Sequence, residues 1–133
     1  MPYEFDFDSK NRILRCRFEG RVTDESLKDY SRAAVRYVAL TVPRAGILDF
    51  SAVTSFEVTP DTILELASSA PTMPDPSHHR FIVAPAPEIF GMARMYQISG
   101  EESRPNLHVV HTMQEACAIV GVEEPNFEAL QTI

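Results

Sequence analysis

The sequence is short of cysteine, glycine, basic side chains and long apolar runs, and each shortage excludes a class of protein. No stretch approaches the roughly 20 consecutive apolar residues of a membrane-spanning helix, so no membrane span is expected. The two cysteines, Cys16 and Cys117, lie far apart, and neither a CxxC pair nor a zinc-type spacing occurs. This usage is typical of a reduced, cytoplasmic protein whose thiols are packed in the interior.

The low glycine content and the acidic balance exclude two further classes. Five glycines form neither GxGxxG nor GxxxxGKS/T, so no nucleotide cofactor is expected. The 12 Lys and Arg residues are outnumbered by 19 Asp and Glu, which gives a net charge of -7. An acidic surface repels phosphate backbones, so nucleic acid is an unfavourable partner. No nucleophile elbow or other catalytic set stands out, which predicts a protein that is not an enzyme.

The composition that is present indicates one globular domain. The chain has 133 residues, of which 44% are hydrophobic and 23% charged, so a real core is expected. We expect the domain to cover residues 1–122 and residues 123–133 to form a loosely attached tail. The first residues lack a basic patch followed by an apolar run, so no signal peptide is predicted.

The beginning of the chain reads as a hairpin followed by a helix. Residues 3–7 and 13–22 alternate between apolar and polar side chains, which predicts two antiparallel strands with one solvent-exposed face. Glu4 and Asp6 are expected on that exposed face. Thr23 is a suitable N-cap for a helix that runs to about residue 40.

Residues 46–70 are the stretch around which the rest is organised. The apolar run at 45–50 predicts a buried strand that ends near Asp49, and a polar loop is expected after it. Thr59, Pro60 and Asp61 then form a helix start, with threonine as N-cap and proline at the first helical position.

The remaining elements continue this alternation of strands and helices. They are a proline-rich loop at 71–78, a strand at 80–84, a helix at 87–99, a strand at 107–110 and a helix from the Thr112 cap to Gly121. The order β-β-α-β-α-β-α-β-α predicts an α/β fold with a mixed, mostly parallel sheet of four to five strands and four helices.

This order of elements resembles the STAS domains and, more closely, the bacterial SpoIIAA-like proteins. The resemblance is carried by the opening hairpin, by FEGRVTDES before the first helix, by GILDFSAV as the central strand and by IFGMARMYQ in the third helix. It covers roughly residues 3–122 and implies a SpoIIAA/STAS fold and a regulatory module that resembles the anti-sigma-factor antagonists, without assigning its physiological role.

The resemblance also implies a switch position. In the antagonists, a serine within a D-S-S-G motif opens the second helix and is phosphorylated by a partner kinase. Laid without a gap from the central strand, this motif falls on residues 57–60, so that Thr59 takes the place of the phosphorylated serine. Glu57 retains the acidic position, whereas Val58 and Pro60 depart from the pattern.

Thr59 therefore has two interpretations. As a switch, it would bring phosphate to a helix N-terminus, where negative charge is tolerated. As a structural residue, it caps the helix, and this explains Thr59, Pro60 and Asp61 together. Ser51 and Ser55 are weaker candidates for modification and fit ordinary loop polarity.

Asp49 and the histidines are the other groups that could carry chemistry. Asp49 precedes the expected loop, and a carboxylate there is most often hydrogen-bonded to nearby backbone N–H groups. His78 and His79 are adjacent, and His108 and His111 are three apart. Odd separations place strand side chains on opposite faces, so neither pair is expected to converge on one metal ion unless the two pairs meet in the fold.

The third helix is apolar around most of its circumference. The residues that form its candidate contact or ligand surface are Phe90, Met92, Met95 and Tyr96. Methionine and aromatic surface of this kind suits an adaptable contact with a partner or an apolar ligand. The alternative is a helix whose apolar side chains are buried by neighbouring elements.

Together these observations predict a non-enzymatic regulatory or protein-interaction module that forms a homodimer and binds a protein partner. The alternative is a protein that binds an apolar small molecule or lipid, because the same broad fold class includes lipid-binding domains of the CRAL-TRIO type.

Overall fold

The computed structural model describes residues 2–132 and consists of one sheet with four helices. Met1 and Ile133, the outer ends of the predicted domain and tail, lie outside the described residues. The elements are β1 (Tyr3–Asp8), β2 (Ile13–Thr23), α1 (Asp24–Thr41), β3 (Ala45–Glu57), α2 (Pro60–Ser68), β4 (His79–Val83), α3 (Pro87–Ser99), β5 (Leu107–Val110), α4 (Met113–Val120) and β6 (Glu128–Ala129).

The sheet confirms the predicted mixed, mostly parallel α/β class. Its strand order is β5-β4-β3-β2-β1-β6, with β2, β3, β4 and β5 parallel to one another. β1 is antiparallel to both of its neighbours, β2 and β6. The sheet has six strands rather than four to five, because the C-terminal residues add a short strand at the β1 edge.

The helices cover the two faces of the sheet unequally. The larger core lies under α1, α2 and α3 and includes the buried side chains of Leu27, Ile63 and Ile89. The smaller core on the other face is covered by α4 and the tail, which contribute Ala116 and Val122. No helix within residues 2–132 is long and apolar enough to cross a membrane.

The predicted polar loop after the central strand is wrong, because β3 continues through these residues to Glu57. The register with β2 extends from Ile13↔Ala45 to Thr23↔Glu57, with two irregularities on the way. The pairing with β4 ends earlier, at Asp49↔Val83. Beyond that point β3 pairs with β2 alone, and most of its side chains are exposed or half-buried. This segment therefore lacks the continuous apolar pattern that marks a buried strand.

The expected solvent-exposed face of the hairpin is wrong at Asp6, which is buried together with the neighbouring Asp8, whereas Glu4 on the same face is exposed as expected. The Arg15 side chain donates two hydrogen bonds to the Asp6 carboxylate, at 2.9 and 2.8 Å. The Arg15 guanidinium in turn lies 3.8 Å from the centre of the Phe127 ring. The tail thus covers this face, which the alternation within β1 could not reveal.

The tail is therefore attached more firmly than predicted. The strand β6 pairs with β1, and the Leu130 N–H donates to the Phe5 carbonyl at 3.0 Å. The Tyr37 hydroxyl of α1 donates to the Gln131 carbonyl at 3.1 Å. These bonds join residues that are distant in sequence, so local propensity gave no signal for them.

The helix ends follow their predicted signals. Thr23 and Thr112 cap α1 and α4, and their side chains accept hydrogen bonds from the backbone N–H of the third helical residue. Gly121 ends α4 with a φ of 80°, a left-handed conformation that glycine adopts without strain. Gly100 ends α3 for a different reason, since a Cβ there would lie 2.9 Å from Arg104 Nη1. Cys16 is buried in the core as expected.

Asp8 provides a test of the tail's attachment. Its carboxylate accepts hydrogen bonds from the Asn11 backbone and side chain, at 2.9 and 2.8 Å, and from the Asn126 N–H at 3.1 Å. Burial alone would raise the pKa of Asp8, but these bonds outweigh burial and lower it. We expect Asp8→Asn to reduce the free energy of unfolding by about 1–3 kcal/mol near neutral pH.

The sign of the pH dependence follows from the lowered pKa of Asp8. The carboxylate's contribution is fully present above the unfolded aspartate pKa of about 3.9 and is lost as the pH falls through the lower folded pKa. Urea unfolding of Asp8→Asn should therefore show a shallower acid loss of stability than the wild type. Glu4→Gln, at an exposed position of the same strand, is the control. Parallel acid profiles for wild type and Asp8→Asn would contradict this role.

Candidate functional site

The start of α2 is the site that the sequence singled out, and the predicted cap is confirmed. Thr59 has extended backbone geometry and accepts a hydrogen bond from the Thr62 N–H at 3.4 Å. Pro60 occupies the first helical position and Asp61 lies in the first turn. The Thr59 side chain is exposed, so its hydroxyl is accessible as well as structural.

Asp24, the first residue of α1, holds Thr59 from the neighbouring helix. The Thr59 N–H donates to Asp24 Oδ1 at 2.8 Å, and the Thr59 hydroxyl donates to Asp24 Oδ2 at 3.2 Å. The hydrogen bond from the Thr59 backbone is the main reason why the pKa of Asp24 is lowered. The carboxylate is thus ionised near neutral pH and links the two helix starts. Sequence reasoning missed Asp24, whose only local signal is its place after the Thr23 cap.

A second polar pair lies beside this link. Arg21 of β2 donates two hydrogen bonds to the Glu57 carboxylate, at 2.6 and 2.9 Å, and the Ser55 hydroxyl donates a third at 3.0 Å. The bonds from Arg21 are the first cause of the lowered pKa of Glu57. Both side chains of the ion pair are exposed. Arg21, Glu57 and Thr59 are exposed and Asp24 is half-buried. We call this group of four residues the switch rim, after the switch role predicted for Thr59.

Asp49 and Ser51 lie earlier in β3 than Glu57, the residue that this strand contributes to the switch rim. The Asp49 carboxylate accepts the Ser51 N–H at 2.9 Å and the Ser51 hydroxyl at 2.6 Å. The predicted pairing of Asp49 with nearby backbone N–H is confirmed, although the strand does not end there. Ser51 and Asp49 are therefore engaged with one another.

The four apolar residues predicted as a surface on α3 are half-buried. Phe90, Met92, Met95 and Tyr96 pack against the larger core, and each keeps part of its side chain exposed. The Phe90 ring also stacks on His111, with the ring centres 4.2 Å apart. Burial accounts for part of their apolar character, and their role as a contact surface stays a prediction.

The two histidine pairs do meet in the fold, through one member of each. His79 Nδ1 and His108 Nε2 lie 2.9 Å apart across β4 and β5. Burial first, and the neighbouring His79 second, lower the pKa of His108. Within residues 2–132 no group of three His, Cys, Asp or Glu side chains is placed to hold a metal ion.

A cavity of about 120 Å³ lies beneath α1, α2 and α3. Its walls come from the inner face of the sheet and from these helices, and most of the lining side chains are aromatic or aliphatic. Two buried arginines, Arg80 and Arg104, also line it. Neither arginine was singled out by the sequence, because Arg80 stands at the start of a predicted strand and Arg104 among polar residues, where arginine is normally exposed.

The capping role of Thr59 predicts a specific pair of mutants. Thr59→Ala removes the oxygen that accepts the Thr62 N–H, so we expect the free energy of unfolding to fall by about 1 kcal/mol. Thr59→Ser retains the oxygen and should unfold like the wild type. Urea denaturation at neutral pH measures both. Equal stability of the alanine and serine variants would show that the hydroxyl does not cap α2.

The comparisons with known proteins bear on the fold. No protein-family model matches the chain, and no curated protein matches its sequence. A solved structure of SpoIIAA, a Bacillus cell fate determinant, in its phosphorylated form matches with a TM-score of 0.55 at 14% sequence identity. The match covers 89% of this chain and 98% of that chain. The chain therefore has a SpoIIAA-like fold, as the resemblance to STAS domains predicted.

Proposed function

We propose that the chain is a non-enzymatic regulatory module that acts by binding a protein partner. The observation that carries this proposal is the switch rim: an exposed threonine hydroxyl at the start of α2, held by a carboxylate from α1. The SpoIIAA-like fold supports it, because the antagonists' D-S-S-G motif, laid on the sequence without a gap, aligns their phosphorylated serine with Thr59.

The charges of the switch rim suit a change of state. A phosphate on Thr59 would add about two negative charges beside the Asp24 carboxylate, which now lies within hydrogen-bond distance of the hydroxyl. The two anions would repel one another, so the link between α1 and α2 would open. The N-terminus of α2 tolerates the added charge, although Pro60 supplies no N–H to it.

The half-buried residues of α3 are the proposed contact surface. The helix α3 packs beside α2. A change at the start of α2 therefore takes place on the helix next to the proposed contact surface. Phe90, Met92, Met95 and Tyr96 combine exposed apolar atoms with flexible methionine side chains, which suit contact with a second copy or another protein. A bacterial, cytoplasmic homodimer is the form that the resemblance implies.

The test compares partner recovery between states of Thr59. Wild type, Thr59→Glu and Thr112→Glu are used as baits in extract from the source cells, with quantitative mass spectrometry and light scattering for oligomeric state. Thr112 is an exposed N-cap threonine of α4 and offers the same substitution away from the switch rim. We expect one partner whose recovery changes about tenfold or more with Thr59→Glu, as the loss of a charged hydrogen bond would give, and is unchanged with Thr112→Glu.

Two results would contradict the proposal. Equal recovery of every protein by the wild type and Thr59→Glu would contradict the proposed switch role of Thr59. If the protein is a monomer in light scattering and recovers no partner from extract, the proposed protein-interaction function is contradicted.

A second candidate function is the binding of an apolar small molecule or lipid. The cavity beneath α1, α2 and α3 favours it, because aromatic and aliphatic side chains line a space large enough for a small ligand. Native mass spectrometry of the purified protein tests this function directly. A co-purified molecule would support it.

A further inference from the structure

Two buried arginines lie close to the same cavity and have different bonding. Arg104 is 4% exposed, and its guanidinium donates to the carbonyl oxygens of Ala67 at 2.9 Å, Ser69 at 2.9 Å and Leu66 at 3.2 Å. These bonds satisfy the carbonyls at the end of α2. Arg104 therefore has a structural function that accounts for its burial.

Arg80, on β4, does not have such a full set of partners. Its side chain is 8% exposed, and its Nη2 donates to the carbonyl oxygens of Met73 and Asp75. Its Nε and Nη1 are buried and have no hydrogen-bond partner among the described residues. A buried polar group without a partner is costly, and more so when it is charged.

The positive charge of the two arginines lacks a direct carboxylate partner, although the exposed Asp75 carboxylate acts on Arg80 from beyond ion-pair distance. Neither forms an ion pair with a carboxylate within residues 2–132. Burial first, and then the nearby Arg104, lower the pKa of Arg80, although arginine keeps its proton under ordinary conditions. The phenol of Tyr96 is close to both, but burial raises the pKa of Tyr96, so it supplies no negative charge.

The cavity joins these arginines to an apolar wall. Its lining includes Phe50, Phe56, Ile63, Ile82 and Leu107 as well as Arg80 and Arg104. At about 120 Å³ it is similar in size to an apolar protein cavity of about 150 Å³ that binds benzene. A ligand of about six to nine non-hydrogen atoms fits such a space.

We propose that this cavity binds a small organic monocarboxylate, whose carboxylate accepts hydrogen bonds from the free N–H groups of Arg80 beside Arg104. The short alkyl or aryl body of the ligand lies among the aromatic and aliphatic side chains. Charge-assisted bonds to a carboxylate would satisfy the unpartnered donors and neutralise one buried positive charge. The inference rests on the second candidate function and names the class of its ligand.

The experiment measures binding of hexanoate, 1-hexanol and hexylammonium to the whole chain by isothermal titration calorimetry. We expect hexanoate to bind about tenfold or more tightly than hexanol, since a hydrogen bond to a charged group gives this difference. Arg80→Met removes the donors while leaving an apolar side chain. It should weaken hexanoate about tenfold or more and leave hexanol within about threefold.

A matched control is Arg36→Met, which removes one exposed arginine outside the cavity and should leave all three affinities unchanged. If Arg80→Met does not fold, NMR spectroscopy of the wild-type protein still tests the proposal. The Arg80 Nε–H resonance should shift as hexanoate saturates the protein, and an unmoved resonance would overturn the proposal.

The outcomes separate this inference from the proposed functions. If hexanol binds as tightly as hexanoate, or hexylammonium binds more tightly, the carboxylate site is overturned while apolar ligand binding stands. If none of the three binds, the cavity is not a ligand site, and partner binding through the switch rim is unaffected. Unchanged hexanoate affinity in a folded Arg80→Met variant would also overturn the assignment of Arg80.

Discussion

The long parallel pairing of β2 with β3 is the constraint on which the rest of the structure depends. Parallel strands carry their C-terminal ends at the same edge of a sheet, and here the register ends at Thr23↔Glu57. The helices that follow, α1 and α2, therefore begin side by side. Asp24 can reach Thr59 because of that register, although 35 positions separate them.

The sheet built on this pairing has two faces that are covered differently. The helical face is covered by α1, α2 and α3, and the tail-covered face by α4 and the tail. On the helical face, three helices enclose the larger core and leave the cavity that holds the Arg80 and Arg104 side chains. On the other face, α4 and the tail leave Asp6 and Asp8 buried but bonded to Arg15, Asn11 and Asn126. The buried carboxylates on this second face are bonded within the chain, whereas Arg80 has two buried nitrogens, Nε and Nη1, without a hydrogen-bond partner among the described residues.

This contrast places the two proposed functions in different parts of one small domain. The switch rim lies on the surface, where the proposed phosphate would change the charge that a protein partner contacts. The arginine-lined cavity lies in the interior, where low polarity strengthens any bond to an anion. α2 connects the two sites, because Thr59 caps its start and Arg104 binds the carbonyls at its end.

The order of elements, most of their boundaries and the caps at Thr23, Thr59, Thr112 and Gly121 were determined by the sequence alone. These features depend on residues within a few positions of each other, so local patterns report them. The strand order, the extension of β3, the attachment of the tail, the Asp24–Thr59 link and the buried pair of arginines were decided only by the tertiary structure. Each of them joins segments that are distant in the chain, and a side chain's burial or bonding there depends on a partner that no local pattern specifies.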